Sequence, residues 1–71
     1  MQLTVNGKPA IIEGKDSLGI QALLEELKVK DALYVTVELN GEIVDRADFD
    51  GTIVKDGDTL EFLYFMGGGR G

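Results

Sequence analysis

The chain closes on Gly67-Gly68-Gly69-Arg70-Gly71, so four of its last five residues are glycine. A segment without side chains can enter a channel too narrow for any other sequence and present a terminal carboxylate inside it. Five extended residues reach roughly 16–18 Å, enough to pass from a domain surface into another protein's active site. Taken alone, a glycine-rich end is more often a frayed terminus than a functional thread. Little else in the chain could do chemistry. There is no cysteine and no histidine, which excludes thiol and histidine-assisted nucleophiles and the usual zinc sites. Gly67-Gly68-Gly69-Arg70 is not a phosphate loop, because neither a lysine nor a helix follows it. Asp45, Asp48, Asp50, Asp56 and Asp58 offer oxygens of the kind calcium takes, but without the EF-hand order or its distal glutamate. Solvated loop carboxylates are the better reading.

A formal charge of -6 argues against nucleic acid and anionic membranes, both of which reward basic surfaces. It favours a protein partner with a basic docking patch. With 44% hydrophobic and 28% charged residues the balance is globular, and 71 residues allow one domain. No apolar run approaches the roughly 18 residues needed to span a bilayer, and no signal-peptide pattern opens the chain. The expected location is cytoplasmic.

The elements that must position the glycine end follow from periodicity. Gln2-Leu3-Thr4-Val5 alternates as a half-buried strand does, and Asn6-Gly7 suits the positive φ angles of a tight hairpin. Pro9 cannot donate to a ladder, so the returning strand Ala10–Glu13 belongs at or beside an edge. Asp16 or Ser17 is placed to cap a helix of about ten residues. Its apolar stripe is Ile20, Leu23, Leu24 and Leu27. Leu33, Val35, Val37 and Leu39 alternate as a strand, followed by the turn Asn40-Gly41 and the short strand Glu42–Val44. Residues 45–51 read as an irregular loop pinned by Phe49, and Ile53-Val54 as a brief strand. After the turn Asp56-Gly57-Asp58, residues 59–65 form a final strand whose apolar run suits a central position. The core is assigned to Leu3, Val5, Leu23, Leu24, Leu27, Val35, Val37, Leu60 and Phe62. Setting aside the brief Ile53-Val54, the order β-β-α-β-β-β, with one helix across a mixed sheet and first and last strands adjacent, predicts an α+β fold of the β-grasp, ubiquitin-like kind. Its expected extent is residues 1–66, with 67–71 as a flexible glycine-rich tail.

Several stretches together carry a resemblance: Val37–Val44, Asp56-Gly57-Asp58 before a hydrophobic strand, Ser17-Leu18 before Leu23-Leu24, and Gly-Gly near the end. In this order and at this length the chain resembles the ThiS-type sulfur carriers of thiamin biosynthesis. The resemblance implies a carrier acted on by other enzymes, not an enzyme, with no cofactor of its own. An E1-like adenylating enzyme, using ATP and magnesium, would activate the terminal glycine carboxylate. Sulfur from sulfide or a cysteine desulfurase would then leave a thiocarboxylate for an acceptor, a thiazole synthase in the thiamin case. The family pattern ends in Gly-Gly, whereas Arg70 and Gly71 stand beyond Gly69 here. Some related carriers are trimmed by a metalloprotease, which implies a precursor whose mature reactive end is Gly69, preceded by Gly67 and Gly68. Trimmed carriers also serve cysteine, homocysteine or methionine synthesis through a sulfhydrylase, so those destinations stand beside thiamin. The alternatives are the small subunit of molybdopterin synthase and a ubiquitin-like modifier joined to lysines.

Overall fold

The structure, a computed structural model, is described for residues 1–64. Strands β1 (Gln2–Val5) and β2 (Lys8–Ile11) form the opening hairpin. Asn6 and Gly7 turn it with φ of 52° and 81°, the pair of positive angles that a two-residue turn between right-twisted strands requires. Next come β3 (Ser17–Gly19), helix α1 (Ile20–Glu26), β4 (Thr36–Leu39) and β5 (Glu42–Val44). A single 3-10 turn (Arg46–Asp48), β6 (Ile53–Lys55) and β7 (Thr59–Leu63) complete the described chain.

Five strands make one sheet in the order β2-β1-β7-β4-β5. The last strand lies in the middle, parallel to β1 and antiparallel to β4. Leu3, Val37, Leu60 and Phe62 point from the sheet into a core completed by Ile20, Leu23 and Leu24 of α1. This is the expected β-grasp architecture. No helix among the described residues is long and apolar enough to cross a membrane.

Local readings differ in several places. Ser17 and Asp16 do not cap the helix. Ser17–Gly19 instead pairs antiparallel with β6 in a separate two-stranded sheet, and Gly19 becomes the N-cap without a side-chain hydrogen bond. Thr52 O takes over the capping work, accepting from Ile20 N at 3.1 Å. The helix therefore has seven residues, not ten. The returning strand starts earlier than expected and includes Pro9, which an edge strand tolerates. The strand expected from Leu33 begins only at Thr36, because residues 31–34 turn first, with Tyr34 N donating to Asp31 O. Val5 and Leu27 are half-buried at the margin of the core. Ile12, Phe49 and Val54, by contrast, are fully part of it.

Candidate functional site

The reactive end expected at Gly69, with Gly67, Gly68, Arg70 and Gly71 around it, lies outside the described residues, as does the division at residue 66. What the structure supplies is the base from which that end departs. β7 runs between two neighbours, so its backbone is held on both sides as far as Leu60. Beyond Leu60 the chain of β1 has already turned away at Asn6, and the ladder would stop there. Asn6 prolongs it. Its backbone N donates to Leu60 O at 3.0 Å, and its side-chain Oδ1 accepts from Phe62 N at 2.8 Å. On the other side Leu63 is in register with Thr36 of β4. One residue later, the Tyr64 hydroxyl donates to the carbonyl of Lys30. Three independent ties thus fix the strand immediately before the glycine-rich sequence.

The loop carboxylates brace turns. Asp56 Oδ1 accepts from Gln2 N at 2.6 Å, and Asp58 Oδ2 accepts from Lys55 N at 2.8 Å. Asp58 Oδ1 also accepts from Asn40 Nδ2 at 3.1 Å, while Asn40 Oδ1 accepts from Thr59 N at 2.9 Å. Asp56 and Asp58 therefore connect the turn before β7 to β1 and to the β4–β5 hairpin. Among the described residues no three acidic side chains converge to hold a metal ion.

A surface that the periodicity does not flag lies at the same end of the sheet. Leu33, Tyr34 and Ile43 are 77%, 76% and 62% exposed and border one concave space of about 310 Å³. Its far wall is Arg46, whose Nη2 donates to Val35 O at 3.0 Å and whose guanidinium sits 5.1 Å from the centre of the Phe49 ring. Alternation from Leu33 to Leu39 assigned Leu33 to a strand that begins only at Thr36. The turn signal Lys30-Asp31 just before it was the available hint that pairing starts later.

Comparison with known proteins now adds to this geometry. The ThiS family model matches residues 3–69. A crystal structure of the thiamine biosynthesis protein (ThiS) from Geobacter metallireducens superposes with a TM-score of 0.92 at 64% identity, covering 97% of this chain and all of that one. An NMR solution structure of a thiamine biosynthesis protein from the same organism gives 0.77 at 63% identity, covering 99% of this chain and 90% of that one. A thiazole synthase from Paramagnetospirillum magneticum is 42% identical over 69 residues, 97% of this chain. The present chain spans only 20% of that relative's length. With the family pattern running through residues 3–69 and the fold matched over 97% of the chain, this chain belongs to the ThiS family.

Proposed function

We propose that this chain is a sulfur carrier of thiamin biosynthesis, loaded at the carboxylate of Gly69. The observation that carries the reading is the family match from Leu3 to Gly69, which spans the folded sheet and closes on the residue expected to react. Similarity to a segment of a thiazole synthase supports thiamin over the other sulfur destinations. A carboxylate is a resonance-stabilised anion and a poor electrophile, so it needs a leaving group before sulfur can replace oxygen. Attack of the Gly69 carboxylate on the α-phosphorus of ATP gives an acyl adenylate and releases pyrophosphate. A sulfur nucleophile then adds to the acyl carbon and expels AMP; after any persulfide bond is reduced, the thiocarboxylate remains. The carrier contributes position. The anchored end of β7 sets where the thread starts, and the adenylating enzyme supplies ATP, magnesium and catalysis.

Arg70-Gly71 must then be removed first. Left in place, it moves the carboxylate about two residues, roughly 7 Å, from where a Gly69 end would put it. Adenylation needs near-attack placement at roughly 3–3.5 Å. Burying an unpaired guanidinium in a glycine-wide channel costs several kcal/mol more. ATP–pyrophosphate exchange with the cognate adenylating enzyme tests this. The chain ending at Gly69 should exchange and then gain the mass of sulfur in place of oxygen, whereas the 71-residue chain should do neither. Equal exchange by both would move the reactive carboxylate to Gly71. A branched lysine adduct in place of the thiocarboxylate would mark a protein modifier.

A further inference from the structure

We propose that the groove rimmed by Leu33, Tyr34 and Ile43 is where the adenylating enzyme seats an apolar side chain flanked by basic residues. The proposal rests on the carrier reading above and names the docking surface that reading needs.

Three features of the molecule support it. Of six exposed large apolar residues among the described ones, three gather at this one concavity. A cluster of that kind on a small acidic domain is characteristic of a binding surface, not of ordinary solvent contact. Its wall is already built. Arg46 is held against Val35 and over the buried Phe49, so the cavity exists before any partner arrives.

The second feature is charge. The register sets Glu38 directly opposite Glu61 on the face turned away from the helix, and Ile43 opposite Glu38. Like charges in that position repel. The other residues that the register puts on this face are Gln2, Thr4, Pro9, Ile11, Thr36, Thr59 and Leu63, none of them basic. Asp45 adds a further carboxylate to the groove itself, and the Arg46 guanidinium there is already engaged. The complement is an apolar projection with lysine or arginine beside it. A second copy of the chain would bring its own net charge of -6 against this one, which opposes self-association.

The third feature is position. Thr36, which lines the groove, is paired with Leu63, the last residue of β7. A protein gripping the groove thus stands beside the point where the chain heads toward Gly67–Gly71, as an enzyme that must receive Gly69 has to. The opposite edge of the sheet carries Pro9 and the isolated Ile11; Ile11 lies across β1 from the exit strand and is in register with Gln2, level with the start of β7 and not with Leu63.

Exchange kinetics test the assignment, using the chain ending at Gly69 and its adenylating enzyme. Tyr34→Ser and Ile43→Ser should each raise KM for the carrier by about tenfold, with little change in kcat at saturation or in melting temperature. Ile11→Ser, at the far edge, should leave KM where it was. Glu38→Lys should also raise KM, and more at low than at high ionic strength, because salt screens the attraction it removes. An unmoved KM in Tyr34→Ser and Ile43→Ser, with exchange otherwise normal, overturns the groove assignment alone. An equal rise in Ile11→Ser does the same. A dimer of the parent chain in sedimentation that Tyr34→Ser abolishes would give the groove to a second copy and also overturn it. No exchange by the parent at any concentration overturns the carrier reading, and this proposal with it.

Discussion

Asn6 does two jobs that one residue type can combine. Its backbone takes φ of 52°, where most side chains are strained by roughly 1–2 kcal/mol, and its side chain supplies the acceptor for Phe62 N. An unpaired, partly buried N–H costs about 1–3 kcal/mol. Asn6→Ala incurs both penalties and should destabilise the domain by about 2–3 kcal/mol in urea unfolding. Asn6→Gly keeps the turn and loses only the acceptor, so it should cost about 1–2 kcal/mol. Equal losses in the two variants would mean that the side-chain hydrogen bond, and not the turn, carries the whole effect. Asn40 is the parallel case in the second hairpin, with φ of 52° and its Oδ1 accepting from Thr59 N. Both asparagines thus tie a hairpin turn to the central strand, one on each side of it.

At the scale of elements, α1 is short because it is stopped. Lys28 takes φ of 55°, Lys28 N donates to Glu25 O, and Val29 N donates to Leu24 O. This is the paired closing pattern that glycine usually provides. A lysine there bears left-handed strain, and its side chain is exposed. Lys28→Gly should therefore raise stability by about 0.5–1 kcal/mol, the strain relieved less the extra freedom of the unfolded chain. A fall in the urea midpoint would show that the lysine stem packs usefully. Periodicity made the stripe Ile20, Leu23, Leu24 and Leu27 plain, and both Asn-Gly turns were legible because few dipeptides tolerate two positive angles. The β3–β6 pairing was not. Ser17-Leu18-Gly19 is three residues long, and its partner is 36 residues away at Ile53–Lys55. No local pattern encodes a bridge of that length. Leu33 misled for a related reason: alternation reports which residues suit a strand, whereas the turn before it decides where pairing begins. The glycine end rests on composition and resemblance and lies outside the described residues; the groove near the end of β7 was not legible, because exposure of Leu33 and Tyr34 is a tertiary outcome.

For the whole molecule, every buried core residue among the described ones lies between Leu3 and Phe62. Removing residues 67–71 takes away no side-chain burial from that set. The truncated chain should melt within about 4 °C of the parent, the shift expected for roughly 1 kcal/mol, and should take up none of the sulfur proposed for the chain ending at Gly69. A larger fall would reveal that those residues pack on the domain.

β7 is both the centre of the sheet and the last of the described strands to be made. Until Thr59–Leu63 is available, the β1–β2 hairpin and the β4–β5 hairpin have no strand between them to pair with. Synthesis runs at roughly 5–20 residues per second, so two half-sheets wait before the core can close. A chain broken off before residue 59 cannot complete the domain, and it also lacks the glycines. On the proposed carrier reading, faulty products would be unfolded and exposed to proteolysis instead of competing, folded but unloadable, for an adenylating enzyme. Placing the last described strand at the centre makes folding itself a check that translation has passed residue 59.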